Sequence, residues 1–418
     1  MKKEEIMTKY ILLLVLIIFD IANATGTSIS GQFEPDRDLM FLQDNRTKSS
    51  ILTVRQSNLE LFEEVATNSK LARVLSIDGG GVRGIGPASW CASLEHITEK
   101  SIADMFNLLA GTSTGGIIAS GLAIEDPNSP GSSLYTADDI VNFYNNESKK
   151  IFKRRCLLGY LAVSRYKSKP MYSVFNKLYG DTKLSQIRSD CDLLVPYYNL
   201  TNNRPGFFKS HKAKNPSFER NEDFYLKDVV ASTTAAPTYF RSFKLYTAYN
   251  KDRPNLFKNT YISVVDGCLA TNDPMACAMT QAESLYPRSD SFLLVSMGTG
   301  QCISEVNPKG LLTWARHIST ILMSNSSEMS RHIFQKFGMY ASGAIFCSRL
   351  QFDISEAHAD MDNINPENLS YLEHQAQTTI PVMNKIRNLG RVLRVTDKPK
   401  REELTMDNHN AKSMFIEI

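Results

Sequence analysis

The sequence predicts an α/β fold with a mostly parallel central sheet, and two observations along its 418 residues predict it. From residue 71 onward, short apolar runs end in glycine-rich turns, and longer stretches with helical signals separate these runs. Buried strands that alternate with helices are typical of a largely parallel sheet. The five predicted strands are Val74–Ile77, Phe106–Ala110, Leu193–Tyr198, Tyr261–Val265 and Phe292–Met297.

Helix start signals lie between the predicted strands. Thr136 and Asp139 have the spacing of a capping box, in which each side chain accepts a hydrogen bond from the other residue's amide. Asn272-Asp273-Pro274 is typical of a helix cap with proline near the first turn. No repeat of fixed period is evident, so we expect residues 71–390 to form one α/β domain.

Composition and charge exclude several classes of protein. Apolar residues make up 42% and charged residues 22%, which excludes a chain disordered throughout. The net charge is only +3, so a dedicated nucleic-acid binder is not expected. The 7 cysteines include no C-x-x-C pair, so no metal site is predicted.

The two ends of the chain differ from this central part. Residues 1–24 contain an apolar run at 10–19 with lysines before it and Ala22-Asn23-Ala24 after it, the order of a secretory signal peptide. Export is therefore the expectation, and an uncleaved membrane anchor is the alternative. Residues 25–70 are predicted to be a polar extension with a short amphipathic helix near Leu59, and residues 391–418 a charged, solvated tail.

A glycine-rich turn follows the first predicted strand. The strand passes through Asp78 into Gly79-Gly80-Gly81, where successive main-chain amides are free to converge on one anion. The same glycines fit the dinucleotide pattern G-x-G-x-x-G, which requires an acid at the end of the next strand. Glu99 and Asp104 have about the required spacing but precede that strand. An anion-binding loop, a dinucleotide site and a plain tight turn all remain open on this motif alone.

The second predicted strand leads into Gly111-Thr112-Ser113-Thr114-Gly115. A G-x-S-x-G sequence between a strand and a helix is the pattern of a nucleophile elbow, whose sharp turn requires the flanking Gly111 and Gly115. The turn exposes the Ser113 hydroxyl at a helix N-terminus, where negative charge is stabilised. Ser113 is therefore the candidate nucleophile.

A serine nucleophile needs a group that accepts its proton. None of the 7 histidines follows directly on a predicted strand. Asp266 does, and Gly267 comes after it. A carboxylate in this position is either a turn former or helix cap, or the base of a Ser-Asp dyad in which the two side chains lie within about 3 Å.

These three segments, in this order, resemble the motifs of the patatin-like phospholipase family. The matching segments are SIDGGGVRG at 76–84, GTSTGG at 111–116 and DGCLATNDP at 266–274. Further similar stretches lie at 226–240, 293–300 and 361–377, so the resemblance covers roughly residues 71–390. The family's aspartate motif usually reads DGG or DGA, and Cys268 is a departure from it.

The resemblance implies a three-layer α/β/α sandwich and a reaction without a cofactor. It implies that Ser113 is the nucleophile and Asp266 the base. It also implies that the amides of Gly79, Gly80 and Gly81 form the oxyanion hole, with Arg83 as the motif arginine in a supporting role. Gly111, Gly115 and Gly267 support the same site by shaping its turns.

The activity that the resemblance implies is lipid acyl hydrolysis of phospholipid, galactolipid or lysophospholipid at a membrane or micelle surface. The alternatives are a catalytically weak storage or lipid-binding protein on the same fold, and a lipid acyltransferase. A basic cluster is either a rim for anionic headgroups or a solvated helix face. Its members are Lys149, Lys150, Lys153, Arg154 and Arg155.

Overall fold

The computed structural model describes residues 66–67, 70–153, 164–215, 217, 222–254, 260–302, 329–330 and 344–405. The predicted signal segment and the predicted helix near Leu59 lie outside these ranges. Among the described residues, no helix is both long enough and apolar enough to cross a bilayer.

The described strands form one large sheet and one small hairpin. They are β1 (Leu71–Ile77), β2 (Leu108–Gly111), β3 (Glu125–Asp126), β4 (Ser129–Ser133), β5 (Asp192–Asn199), β6 (Arg204–Lys209), β7 (Phe243–Leu245), β8 (Ile262–Asp266), β9 (Ser291–Met297) and β10 (Ala344–Leu350). The large sheet has the order β10-β9-β1-β2-β5-β8-β7, with β6 paired to β5. The pairs from β10 to β5 are parallel, whereas β6, β7 and β8 join by antiparallel pairs. The prediction of a mostly parallel sheet is confirmed.

Central strands such as β1 are buried on both faces. Leu75 and Ile77 of β1 belong to one apolar cluster, and Ala72 and Val74 belong to a second one. Side chains alternate across a strand, so the two clusters lie on opposite faces of the sheet. Helices cover both faces, which makes three layers, and the predicted α/β/α architecture is confirmed.

The described helices lie between the strands or follow the last of them, β10. They are α1 (Ile85–Thr98), α2 (Ile102–Met105), α3 (Thr114–Ala123), α4 (Ala137–Ile151), α5 (Ser168–Tyr179), α6 (Ser210–Ala213), α7 (Leu226–Thr233), α8 (Ala248–Lys251), α9 (Met275–Leu285), α10 (Pro366–Thr378), α11 (Ile380–Val395) and α12 (Arg401–Leu404). The predicted capping box of Thr136 and Asp139 starts α4. Asp273 Oδ1 accepts a hydrogen bond of 2.9 Å from the amide of Met275, the first residue of α9.

The charged stretch after residue 390, predicted to be a solvated tail, is solvated only in part over the described residues. Residues 391–395 belong to α11, and residues 396–405 lie against the amino ends of the parallel strands. Lys398 Nζ lies 3.0 Å from the Asp190 carboxylate, and Arg401 Nη1 lies 2.8 Å from that of Asp192. Leu404 is fully buried. The prediction was wrong for Lys398, Arg401 and Leu404, because the two cations meet acceptors that are distant in the sequence and the leucine packs in the core. Residues 406–418 lie outside the described ranges.

Candidate active site

The carboxyl ends of β2 and β8 face each other along one edge of β5. Strand β6 pairs with β5 from Leu194 to Asn199 and so occupies one edge of this stretch. Leu194 also pairs with β2, and Tyr197 also pairs with β8, so both of these strands lie on the opposite edge. β2 runs parallel to β5 and β8 runs antiparallel to it. The residues that follow β2 and those that end β8 therefore meet in the gap between the strand ends.

The turn after β2 holds Ser113 in a strained conformation with φ 54° and ψ −117°. A Cβ atom on Gly111 would lie 2.1 Å from the carbonyl oxygen of Gly115, so this turn requires glycine. The Ser113 amide donates a hydrogen bond of 3.0 Å to Thr233 Oγ1. A positive φ at a residue other than glycine costs about 1 to 3 kcal/mol, and surrounding contacts must maintain it.

The structure brings the Ser113 hydroxyl and the Asp266 carboxylate together. Ser113 Oγ donates to Asp266 Oδ2 at 2.7 Å, and the Cys268 amide donates to Asp266 Oδ1 at 2.8 Å. Asp266 is 1% exposed and forms no ion pair with any described residue. Burial raises the pKa of Asp266 to about 6, because these neutral donors only partly compensate for lost hydration.

The departure from the family motif at Cys268 lies directly beside this carboxylate. The Cys268 side chain lines the cavity that contains Ser113 and Asp266. Burial, together with the charge of Asp266, raises the pKa of the Cys268 thiol well above its usual value. Cys268 is therefore a neutral thiol at physiological pH. Both this thiol and the main-chain amide of Cys268 interact with the Asp266 carboxylate and favour its charged form.

Of the three glycines predicted to form an oxyanion hole, two line the cavity. Gly80 and Gly81 line it together with Ser113, and their amides donate no hydrogen bond within the described part of the chain. The Gly79 amide instead donates to the carbonyl oxygen of Asn272 at 3.2 Å. This bond ties the glycine loop to the segment that follows Asp266.

Arg83, predicted in a supporting role, binds main-chain carbonyls. Its Nε atom lies 3.4 Å from the Gly80 carbonyl oxygen, and its Nη1 atom lies 3.3 Å from that of Ala359. The guanidinium therefore fastens the glycine loop to a distant segment of the chain.

Sequence reasoning missed the group of charges behind the glycine loop. Arg349 on β10 donates to both carboxylate oxygens of Asp78 at 2.8 and 2.6 Å and lies 3.7 Å from Asp273. Burial and the nearby charge of Asp78 raise the pKa of Asp273, and Arg349 opposes this. The position of Asp78 at the end of β1 is the only sequence signal for this cluster, because nothing local indicates Arg349 as its partner.

The two acids considered for a dinucleotide site bind elsewhere. Asp104 forms an ion pair of 2.5 Å with Arg188, and Glu99 forms one of 2.6 Å with Arg394. Neither carboxylate therefore closes a nucleotide site beside the glycine loop.

A largely apolar cavity of about 140 Å³ extends from Ser113 and Asp266. Its apolar walls come mainly from α4, α5 and the segment at 234–240. The principal apolar side chains are Ile117, Ile151, Phe152, Met171, Phe175 and Phe240. Leu269 also lines the cavity and is 38% exposed, so the cavity reaches the surface close to Asp266.

Some of the predicted basic cluster lies near this cavity. Lys149 and Lys153 are exposed beside the cavity-lining residues Ile151 and Phe152, whereas Lys150 forms an ion pair of 2.7 Å with Glu147. The two arginines of the cluster lie outside the described residues.

The fold and site define an α/β protein in which a serine on a nucleophile elbow is bonded to a buried carboxylate. Residues 75–279 match the family model described as patatin-like phospholipase. Patatin-like protein 2 of Arabidopsis thaliana is 30% identical over 348 residues, which cover 73% of this chain and 82% of that protein. The chain belongs to the patatin-like family, and this membership indicates acyl lipid hydrolysis as its general activity.

One further relative has a name that describes it as a probable inactive protein. Probable inactive patatin-like protein 9 of Arabidopsis thaliana is 32% identical over 258 residues, covering 58% of this chain and 64% of that protein. Among solved structures, VipD from Legionella pneumophila covers 76% of this chain and 67% of that one, with a TM-score of 0.37 and 11% identity. This structural similarity is too low to support a functional comparison.

Proposed function

We propose that the chain is a lipid acyl hydrolase in which Ser113 is the nucleophile and Asp266 the general base. The observation that carries the proposal is the 2.7 Å hydrogen bond from Ser113 Oγ to a buried carboxylate at one side of an apolar cavity. A carboxylate with its ordinary pKa is a weak base, and the raised pKa of Asp266, about 6, makes proton transfer more favourable.

In the first half of the reaction, Asp266 accepts the Ser113 proton as Oγ attacks the carbonyl carbon of an acyl ester. The carbonyl oxygen becomes an oxyanion, which the amides of Gly80 and Gly81 stabilise together with the N-terminus of α3. The tetrahedral intermediate then collapses. The ester C–O bond breaks, the leaving alcohol takes the proton from Asp266, and the acyl group remains on Ser113.

In the second half, Asp266 removes a proton from water, and the resulting hydroxide attacks the acyl-enzyme at the same carbonyl carbon. The same amides stabilise the second oxyanion. Collapse breaks the bond to Ser113 Oγ, which regains its proton from Asp266 as the fatty acid is released. An alcohol in place of water would give acyl transfer by the same steps.

The substrate proposed is a lipid with a long acyl chain, presented at a membrane or micelle surface. The cavity walls supply apolar contacts for such a chain. Three exposed cations, Lys153, Lys167 and Arg241, lie near the cavity-lining rings of Phe152 and Phe240. Cations beside an apolar opening favour contact with anionic lipid surfaces. The apolar segment near the N-terminus supports the further proposal that the protein is exported.

The test is fatty acid release from phospholipid and lysophospholipid vesicles, together with labelling by a fluorophosphonate probe. The wild type is expected to turn over and to be labelled, and Ser113→Ala to do neither. Ser120→Ala is the matched control, because Ser120 lies on α3, is buried, and its hydroxyl has no hydrogen-bond partner among described groups. This variant should retain both properties.

Two outcomes would replace the proposal. A wild type that binds the vesicles but releases no fatty acid and resists the probe would be a lipid-binding or storage protein. A wild type that forms acylated alcohols faster than free fatty acid when an alcohol acceptor is supplied would be an acyltransferase.

A further inference from the structure

A short segment outside the three motifs contacts the glycine loop. Residues 359–362, here named the strap, lie between the 3-10 turn Glu356–His358 and α10. The Met361 carbonyl oxygen accepts a hydrogen bond of 2.9 Å from the Val82 amide. A Cβ atom on Gly81 would lie 2.2 Å from the same oxygen, so the strap and the loop are packed main chain against main chain. The strap therefore limits where the Gly81 peptide can lie.

The strap is itself anchored by one buried carboxylate. The Asp362 side chain is 5% exposed and lies 2.8 Å from Arg165 Nη1. The Tyr166 hydroxyl donates a further hydrogen bond to Asp362 Oδ2. A carboxylate that binds both a guanidinium and a phenol hydroxyl has a well-defined position. Because Met361 directly precedes Asp362, this anchor also restrains the position of the Met361 carbonyl.

The anchor also connects the strap to the cavity wall. The Arg165 amide donates to the Thr238 carbonyl oxygen at 3.0 Å, and the Tyr166 amide donates to that of Tyr239 at 2.8 Å. Thr238 and Tyr239 line the cavity. Asp362 therefore links the loop that faces the reacting carbonyl to the wall that faces the acyl chain.

We propose that Asp362 is a positioning residue that fixes the Gly80 and Gly81 amides toward the oxyanion by way of the Met361 carbonyl. This inference rests on the proposed function. Glycine peptides have wide conformational freedom, so a loop of three glycines needs contacts from outside to hold one geometry. Misplacement of catalytic groups by about 1 Å can reduce a rate by about 100-fold. The strap supplies those contacts from a part of the chain that carries no catalytic residue.

A second buried carboxylate with the same kinds of partner provides a matched control. Asp192 is 1% exposed, accepts a hydrogen bond of 2.9 Å from the Tyr286 hydroxyl, and pairs with Arg401 at 2.8 Å. It lies at the amino end of β5, at the opposite end of the sheet from Ser113. Loss of this carboxylate should cost stability without moving the glycine loop.

The experiment compares Asp362→Asn with Asp192→Asn and wild type. Steady-state kinetics on a soluble short-chain aryl ester give kcat and KM, and a long-chain alkyl trifluoromethyl ketone serves as the transition-state analogue. The ketone forms a tetrahedral oxyanion adduct with Ser113, so its inhibition constant reports on the oxyanion hole. Thermal denaturation of each variant measures the structural effect separately.

For Asp362→Asn we expect kcat to fall about 10-fold or more, with KM within about 2-fold of wild type. Inhibition by the ketone should weaken by the same factor as kcat/KM. Asp192→Asn should keep both values while its melting temperature falls. Should Asp362→Asn fail to fold, Tyr166→Phe removes only the hydroxyl and should lower kcat and ketone affinity together by about 3-fold.

Each of the other possible results contradicts either the proposed hydrolase activity or the strap proposal. A wild type without turnover would overturn the proposed hydrolase and the strap proposal with it. An active wild type with unchanged kcat and ketone affinity in Asp362→Asn would overturn the strap proposal alone. An equal loss of kcat in Asp192→Asn would also overturn it, by showing that any lost buried carboxylate has this effect.

Discussion

Carboxylates with defined partners lie at both ends of the sheet, and both their partners and their burial differ. At the carboxyl end, Asp266 is bonded to a hydroxyl and a main-chain amide, both neutral. At the amino end, Asp190 lies 2.7 Å from Arg188 and 3.0 Å from Lys398. Burial raises the pKa of Asp266 to about 6. Partial burial also raises the pKa of Asp190, but the two cations outweigh it and lower this pKa to about 2.

This difference in partners and pKa distinguishes a carboxylate that stabilises the fold from one that can accept a proton in a reaction. A carboxylate held by cations keeps its charge and has little affinity for a proton. A buried carboxylate held only by neutral donors has a higher affinity, which general base catalysis near neutral pH requires. The same side chain type therefore stabilises the fold at one end of the sheet and is available for chemistry at the other.

The largest expected effect is the loss of activity on removing the charge of Asp266. Asp266→Asn keeps the shape but cannot accept the Ser113 proton, so turnover should fall by about 1,000-fold. Asp192→Asn should keep its turnover per folded molecule. Fatty acid release measured at equal folded concentration checks both. Comparable activity losses in the two variants would break the contrast between the two ends of the sheet.

The stabilities of the same two variants should change in opposite directions. The folded-state pKa of Asp266 lies above the unfolded value of 3.8, so stability is lost as pH rises through about 6. At pH 8, Asp266→Asn should therefore be more stable than wild type by about 1 to 3 kcal/mol, an advantage that fades toward pH 4. Asp192→Asn leaves Arg401 without its carboxylate and should lose about 2 to 4 kcal/mol. Urea denaturation at both pH values measures these differences.

The next effect concerns the glycine loop. Gly81 and Gly180 both have positive φ, 60° and 53°, so alanine strains the backbone at either site. An added Cβ would meet the Met361 carbonyl oxygen at 2.2 Å at Gly81 but nothing within 4 Å at Gly180. Gly81→Ala should therefore lower kcat by about 100-fold through displaced amides, whereas Gly180→Ala should change stability only. Steady-state kinetics with melting curves test this, and equal kcat values would contradict it.

A smaller effect is the pH dependence of the wild type. Asp266 must be ionised to act as a base, so kcat/KM should rise with pH and level off above an apparent pKa of about 6. Between pH 8 and pH 5 the expected fall is about 10-fold. Measurement with a neutral aryl ester avoids titration of the substrate. A profile that stays flat down to pH 4 would mean that Asp266 is not the titrating base.

Much of the fold and part of the site could be predicted from the sequence. The five apolar runs correspond to β1, β2, β5, β8 and β9, because strands buried on both faces carry a continuous apolar signal. The proximity of Ser113 and Asp266 was predicted from motif order, and the two side chains lie 2.7 Å apart. The antiparallel direction of β8 was not predicted, since an apolar run carries no sign of direction.

The supporting contacts were beyond sequence reasoning for a physical reason. The acceptors beside the glycine loop are main-chain carbonyls of Asn272 and Met361. Every residue has such a carbonyl, so the residue type does not indicate which one accepts a hydrogen bond. Arg349 contacts Asp78 across most of the chain, with no local pattern to pair them. The charged segment at 396–405 was interpreted as solvated for the same reason, because composition does not reveal the partners of a charge.

The smallest expected effect concerns the contribution of the Cys268 thiol to the Asp266 site. Cys268→Ala removes the thiol but keeps the amide that binds Asp266 Oδ1 at 2.8 Å. Because the raised pKa keeps this thiol neutral, its removal takes no charge from the site, and turnover should stay within about 3-fold of wild type. Cys277→Ala, a partly buried cysteine on α9, is the control for loss of a thiol elsewhere. A loss of 10-fold or more in Cys268→Ala alone would show that the thiol itself helps to hold the base.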